Sequence, residues 1–284
     1  MTAIIFGANG QDGFYLSILL QTKGIEVIPV SRNGTGIKSD IANLEEIKTL
    51  IRNYKPDYIF HLAANSTTRH DALFENHAAI STGTLNVLEA VKTIHPTAKV
   101  FISGSGLQFK KETDPFEARD AYSVSRIHSV YAARYYRSLG IKTYIGYFFN
   151  HDSPRRTPRH ISKMIANAVI NIAKGKEEMI EIGDMFVKKE WGFAGDIVEA
   201  VWTLVQQDDI PEAVLGTGEA YSIKDYIENC FAVIGKDWTK YVKTKEGFTA
   251  EYAQLVSNPA TIFSLEWRPQ TSFTGLVKLM LNHG

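Results

Sequence analysis

The stretch Ala3-Ile4-Ile5-Phe6-Gly7-Ala8-Asn9-Gly10-Gln11-Asp12-Gly13-Phe14-Tyr15-Leu16 decides how the fold is read. Its first four residues are an apolar run of strand type, and residues 14–22 read as a helix rich in Leu and Ile. Between them stand three glycines in the spacing GxxGxxG. A strand, a glycine turn and a helix N-terminus together make an anion site. The turn lets backbone N–H groups approach a phosphate, and the helix dipole favours negative charge there. The spacing suits a tight turn onto a dinucleotide pyrophosphate. Glycines at this spacing also occur in plain βα turns; the flanking strand and helix and the place of the run in the chain favour dinucleotide geometry.

Outward from this stretch, strand-like runs at residues 3–6, 25–30, 58–61, 99–103 and 143–149 alternate with helical patterns at 11–23, 44–54, 75–95 and 122–139. That alternation predicts an α/β fold, a Rossmann-type doubly wound parallel sheet with helices on both faces. Function then sits at the carboxyl ends of the strands. Near residue 150 the pattern changes. Helical stretches at 161–174, 195–207, 223–234 and 273–281 dominate, with a short strand near 180–182. The expected organisation is a dinucleotide-binding domain over 1–150 and a smaller, mainly helical substrate-binding part over 151–284, interleaved with the first.

With 284 residues, 44% of them hydrophobic, the chain can bury a sizeable core. Lys plus Arg and Asp plus Glu balance at 31 each. No global charge draws the chain to nucleic acid or to an anionic membrane, so phosphate recognition has to be local. The single cysteine, Cys230, excludes an internal disulfide, and its apolar helical surroundings predict a packing role in a reducing compartment. No apolar run approaches the ~20 residues of a membrane helix. The first strand begins at once and leaves no room for a signal peptide, so the expected location is cytoplasmic. His61, His70, His77, His151 and His160 lack paired ligand spacing on one element, and no metal is expected.

Several polar groups stand where strands end. Arg32, after the second strand, leans toward a 2′-phosphate and hence NADP; a solvated loop arginine is the alternative. Asp40 either accepts a hydrogen bond from an adenine amino group or caps the helix at 44–54. The run Leu62-Ala63-Ala64-Asn65-Ser66 offers small residues that let a ligand approach the backbone, or that let a helix pack closely. Tyr122 and Arg126 stand four apart on a predicted helix and share a face. A cation beside a tyrosine favours phenolate and fits it for general acid–base work, although such pairs also arise by chance. The run Phe149-Asn150-His151-Asp152-Ser153-Pro154-Arg155-Arg156 places two arginines before a helix, as suits a diphosphate or, equally, a solvated basic loop. Lys188 and Lys189 give a further cation pair beside Trp191, which reads as core rather than as a stacking platform.

Taken in order, these segments resemble the extended short-chain dehydrogenase/reductases that act on nucleotide sugars, and within them the GDP-mannose 4,6-dehydratase family. That family reads GQDGxYL at the first turn, here Gly10-Gln11-Asp12-Gly13-Phe14-Tyr15-Leu16. Its LAAQS is similar to Leu62–Ser66, its FNHESPRR to Phe149–Arg156, its KRDWG to Lys188–Gly192, its ATGE to the run ending Gly216-Thr217-Gly218-Glu219, and its LGWxP to Leu265–Pro269. The resemblance implies a Rossmann domain holding NADP or NAD, a C-terminal part holding a GDP-sugar, and a homodimer formed through the helices at 75–95 and 122–139. It implies that Gly7, Gly10, Gln11, Asp12 and Gly13 line the pyrophosphate, with Arg32, Asp40 and Ala63 toward the cofactor. Ser66, Asn150, Arg155, Arg156, Lys189 and Glu251 would face the sugar nucleotide, although the arginine that partners the glutamate in the family is Phe248 here.

The departures from the family pattern carry as much as the matches. Members read STSE at the end of the fourth long strand, where Thr and Glu serve redox and elimination; this chain reads Ser103-Gly104-Ser105-Gly106. The family YxxxK becomes Tyr122-Ser123-Val124-Ser125-Arg126, and Arg for Lys is not conservative in shape. The long arginine-bearing loop after the second strand is cut to residues 33–39. A 4,6-dehydratase oxidises C4, eliminates water across C5–C6 and returns the hydride, and glycines at 104 and 106 offer neither base nor acid for the elimination. The expected function is therefore GDP-sugar isomerisation (epimerisation or pyranose/furanose interchange), with Tyr122, Arg126, Ser103 and Ser105 as catalytic candidates and a nicotinamide cofactor that is either used, non-redox or absent. The alternatives are an NADP-dependent 4-keto-sugar reductase, a divergent dehydratase, and a non-catalytic sensor of nucleotide sugars.

Overall fold

The computed structural model describes residues 1–109, 116, 118, 120–250 and 252–282. The chain runs through β1 (Thr2–Phe6), α1 (Gln11–Thr22), β2 (Glu26–Ser31), β3 (Ile37–Lys38), α2 (Leu44–Tyr54), β4 (Tyr58–His61), α3 (Leu73–Asn76), α4 (Gly83–Ile94), β5 (Lys99–Ser105), α5 (Ala121–Ser138) and β6 (Thr143–Phe148). Next come β7 (His151–Asp152), α6 (Ile161–Ala173), β8 (Ile180–Ile182), β9 (Lys188–Glu190), β10 (Gly192–Phe193), α7 (Ala194–Val205) and β11 (Glu212–Leu215). The last elements are β12 (Ala220–Ser222), α8 (Ile223–Ile234), β13 (Val242–Thr244), β14 (Gln254–Leu255), α9 (Ala260–Ser264) and α10 (Phe273–Asn282). These divide into two compact units. The first holds Met1–Phe148, Val198–Leu215 and Ala260–Trp267; the second holds Phe149–Ile197, Gly216–Pro259 and the chain from Arg268 on.

The first unit is built on a seven-stranded sheet in the order β11-β6-β5-β4-β1-β2-β3, with every pair parallel. Its central strands are apolar on both faces: Ile4, Ile5 and Phe6 in β1 and Val100, Phe101 and Ile102 in β5 are buried, as a sheet covered by helices on both sides requires. This is the Rossmann-type sheet expected from the alternation. Strand order runs outward in opposite directions from β1 and β4, so the crevice beyond their carboxyl ends is the topological switch point. The register sets Phe6 beside His61 and brings Gly7 alongside Leu62 and Ala63.

Helix starts follow local chemistry. Asn43 caps α2 by accepting from the Glu45 and Glu46 N–H groups, and Asp120 caps α5 by accepting from Tyr122 and Ser123 at 2.9 and 2.8 Å. Two edge strands escape sequence patterning: β3 has two residues and β11 has four with an acidic start, too short for a period to register. The stretch 75–95 is not one regular helix. A 3₁₀ turn at 70–72, α3, a π turn at 77–82 and α4 follow one another. At the end of the wide turn the Ile80 carbonyl accepts from the Gly83 N–H, and side chains join it: Ser129 Oγ donates to it at 3.1 Å and His61 Nε2 lies 3.4 Å away.

In the second unit, α6, α8 and α10 enclose a core of Ile165, Val169, Ile227, Phe231, Leu276 and Met280. Beside these expected helices are three small sheets, β10-β7, β12-β9-β14 and β13-β8. Trp191 belongs to this core, stacked on Tyr226 at 4.2 Å with its Nε1 donating to the Tyr221 carbonyl. Cys230 is buried there, and burial pushes its thiol up to about 12. Among the described residues no helix is long and apolar enough to cross a membrane.

Candidate active site

At the switch point Gly7 and Gly13 are required by contact, and Gly10 is closely seated beside them. Gly7 has φ +86°, and a Cβ there would lie 2.7 Å from the Ala63 backbone nitrogen. A Cβ on Gly13 would lie 2.6 Å from Ala8 Cα, and one on Gly10 would press the Gly7 carbonyl at 3.2 Å. The turn is therefore folded tightly between β1 and β4. Gly10 has no side chain with which to cap α1, and Asp12 stands in the helix's first turn. The adjoining cleft, about 230 Å³, is lined by Gly7, Asn9, Gly10, Ser31, Arg32, Leu62, Ala63 and neighbouring residues.

One wall of this cleft is the short segment after β2. Asn9 Nδ2 donates to Ser31 Oγ and to the Asn33 carbonyl, both at 2.6 Å, and Thr35 Oγ1 donates back to Asn9 Oδ1 at 3.2 Å. Arg32 lies in the wall and pairs with Glu75 of α3 at 3.1 Å. Ser39 and Ile41 line the cleft, but Asp40 between them does not. The Asp40 carboxylate accepts from the Ala42 N–H at 3.0 Å. The capping role considered for it belongs to Asn43.

At the carboxyl end of β5, Arg126 turns inward. It is 4% exposed, and its Nη1 donates to both the carbonyl and the hydroxyl oxygen of Ser103 at 2.6 Å. Ser103 Oγ donates onward to the His61 carbonyl at 3.0 Å. The guanidinium lies 4.9 Å from the Tyr122 ring centroid, so the two residues share a face. The Tyr122 hydroxyl makes no hydrogen bond among the described residues. Ser105 Oγ accepts from the Leu107 N–H at 3.2 Å and caps a 3₁₀ turn over 106–108, so this hydroxyl is engaged locally. Beneath Arg126, burial first and the guanidinium second push the His61 imidazole down to about 3.

The space beside Gly104 is filled. A Cβ there would lie 2.7 Å from Tyr147 Cδ1 and 3.1 Å from Gln108 Oε1. The Tyr147 ring is held from behind: its hydroxyl donates to Glu212 Oε2 at 2.8 Å and accepts from Arg134 Nη2 at 3.1 Å. Burial opposes the charge on Glu212, but hydrogen bonds from Arg134, Arg137 and Tyr147 outweigh it and hold the carboxyl at about 2.

The second unit gathers another polar cluster. Asp152 on β7, 2% exposed, accepts from Ser162 Oγ at 2.7 Å and pairs with Arg156 Nε at 3.2 Å. Burial works against its charge, and the cations Lys189 and Arg156 overcome it, so its carboxyl stays below the usual range. Lys189 is buried 4.3 Å over the Trp191 ring. Burial lowers its ammonium below the ordinary lysine value, with Asp152 working against that shift. Burial, then the Arg156 charge, pushes His160 down to about 4. Among the described residues Asn150 Oδ1 is buried without a hydrogen-bond partner. Glu190, adjacent to Lys189, is wholly buried and accepts from the Thr217, Gly218 and Ser257 N–H groups, fixing the loop after β11.

Of the residues singled out from sequence, Gly7, Gly10, Arg32 and Ala63 meet around the cleft; Gln11, Asp12 and Gly13 open α1 behind it. Ser103, Tyr122 and Arg126 form one contact group. Asp152, Arg156 and Lys189 form another, in which Asp152 supplies the central charge; Arg155 and Ser66 are exposed. Glu251 lies outside the described residues. Glu75 and Tyr147 were not marked by sequence. Glu75 sits in a stretch read as helix and Tyr147 in one read as strand, and each meets its partner only in the fold.

The chain aligns with GDP-mannose 4,6 dehydratase 2 of Arabidopsis thaliana at 30% identity over 319 positions, covering 99% of this chain and 86% of the relative. The alignment is longer than the chain, so the relative carries residues that this chain lacks. The structure superposes on Thermus thermophilus UDP-glucose 4-epimerase in complex with NAD, with a TM-score of 0.85, 20% identity and coverage of 100% and 98% of the two chains. It superposes on RMD from Pseudomonas aeruginosa complexed with NADPH, with a TM-score of 0.88, 17% identity and coverage of 99% and 98%. The family model for GDP-mannose 4,6 dehydratase matches residues 4–280, and the chain therefore belongs to that family.

Proposed function

We propose that this chain is a GDP-sugar-modifying enzyme that binds a nicotinamide dinucleotide and converts its substrate to an isomer, by epimerisation or ring interchange, without losing water. Family membership and the names of its relatives support the substrate class. The tight glycine turn supports the cofactor, since Gly7 and Gly10 line the cleft at the switch point. The bound nicotinamide would supply transient hydride acceptance. Around it, the Gly7–Gly13 turn holds a pyrophosphate and Tyr122 moves the proton of a sugar hydroxyl. Arg126, tied to Ser103, keeps the Tyr122 ring in place. Asn150, Arg155, Arg156 and Lys189 face the anionic part of the substrate, Lys189 and Arg156 bringing more positive charge than Asp152 neutralises.

The observation that carries the reaction type is the filled space at Gly104. Elimination across C5–C6 needs an acid and a base, each contributing about 10²–10⁴-fold. Positions 104 and 106 provide neither, and Tyr147 occupies the room a side chain at 104 would need. A second reading, reduction of a 4-keto-sugar nucleotide, draws on the Tyr122 hydroxyl as proton donor, with the Arg126 guanidinium against its ring. Incubation of GDP-hexoses with the oxidised dinucleotides, and of a GDP-4-keto-hexose with NADH or NADPH, each followed by chromatography, separates them. A new isomer of the GDP-hexose with no net reduction of the dinucleotide supports isomerisation; stoichiometric oxidation of the reduced dinucleotide by the keto-sugar supports reduction; binding without product leaves a sensor. Tyr122→Phe is expected to slow turnover at least ~10²-fold.

A further inference from the structure

Among the described residues that line the switch-point cleft, Arg32 alone is charged, and it is already engaged. Its Nη2 lies 3.1 Å from Glu75 Oε1, while Glu75 Oε2 accepts from Asn65 Nδ2 at 2.9 Å. Both oxygens of the carboxylate are thus committed, one to the segment after β2 and one to the segment after β4. The backbone that carries Arg32 is fixed as well. Asn9 holds Ser31 and Asn33, and Ser31 Oγ donates to the Asn33 carbonyl at 2.8 Å.

We infer that Glu75 is a specificity-determining residue that turns this cleft toward a dinucleotide lacking a 2′-phosphate. The inference rests on the cleft being a dinucleotide site. A ribose 2′-phosphate carries close to two negative charges and is best met by an unshared guanidinium fork. Here the fork is shared with a carboxylate, and a phosphate reaching Arg32 meets that carboxylate's field within a few ångströms. A free 2′-hydroxyl carries no charge and escapes this repulsion. Arg32 and Glu75 are each about half-exposed, so the pair is weak and screened. The resulting preference is graded rather than absolute. The arginine whose place in the sequence leans toward NADP, with a solvated loop arginine as the alternative, is in this fold paired with a residue 43 positions away.

Fluorescence titration of the full chain with NADH and NADPH at low salt tests this. The wild type is expected to bind NADH about tenfold more tightly than NADPH. Glu75→Gln keeps an oxygen for Asn65 and is expected to shift the ratio about tenfold toward NADPH, with NADH affinity little changed. Arg32→Gln on that background should erase the gain, whereas Arg32→Gln alone should leave the ratio nearly as it was. Melting temperatures of the ligand-free variants report whether each is folded. A wild type that prefers NADPH, or a ratio unmoved by Glu75→Gln, would overturn the inference while leaving the dinucleotide site intact. Failure of the wild type to bind either nucleotide would overturn both.

Discussion

Gly7 and Gly104 stand at the carboxyl ends of β1 and β5 in one sheet, and each lacks a side chain for a different reason. At Gly7 the backbone takes a positive φ and packs against Ala63, and the bare turn faces a cleft. At Gly104 the absent Cβ is replaced by the Tyr147 ring, locked by Glu212 and Arg134. At both positions the space a Cβ would take is filled by the chain itself, by the Ala63 backbone at Gly7 and by the Tyr147 ring at Gly104; what differs is that the first turn also borders a cleft. A glycine in a motif position is thus a statement about packing, and only the neighbours tell whether the turn it makes also borders a cleft. In this chain a cleft lies beyond the carboxyl end of β1, and the space beside Gly104 near the end of β5 is filled.

The largest effect should come from breaking the first turn. Gly7→Val adds strain at positive φ to a clash with Ala63 and is expected to cost at least ~3 kcal/mol. Denaturant unfolding and dinucleotide titration would both report it, and a near-normal midpoint would refute the packing argument.

Acid probes two imidazoles, one in each unit. His61 and His160 are held neutral at about 3 and about 4, chiefly by burial and next by Arg126 and Arg156. Their ordinary value is 6.5, so below it the unfolded chain binds protons that the folded chain refuses. Their contribution is therefore complete above 6.5 and is lost as pH falls toward 4 and then 3. Stability should fall by on the order of 2 kcal/mol between pH 7 and pH 5, and His61→Gln should flatten part of that slope in a urea series. Glu212 acts lower, its contribution being lost only as pH drops from 4.5 toward 2.

Adding a side chain at Gly104 should cost less. Gly104→Thr presses on Tyr147 and is expected to destabilise by ~1–3 kcal/mol. Introduced into a Tyr147→Ala background, the same threonine should cost markedly less, and strict additivity of the two changes would contradict the filled-space account. The smallest effect is expected from Asn9→Ala, which frees the segment after β2 at about 1 kcal/mol and should loosen dinucleotide binding more than it lowers the melting temperature.

These contrasts also mark what sequence can carry. The first turn was readable because glycine need, strand and helix all fall within fourteen consecutive residues. The parallel sheet was readable because its central strands are apolar on both faces. β3 and β11 are edge strands of two and four residues and leave no period to detect. Tyr122 and Arg126 were paired by helical spacing, but the inward turn of the guanidinium toward Ser103 depends on β5. The Arg32–Glu75 pair and the Tyr147–Gly104 contact join residues 43 positions apart, and no local pattern encodes them.

The most direct test of the reading drawn from the filled space at Gly104 is the mass of the sugar nucleotide recovered after incubation of GDP-mannose and related GDP-hexoses with the enzyme and a nicotinamide dinucleotide. The account predicts a product that separates from its substrate at unchanged mass. A product lighter by one water would contradict it.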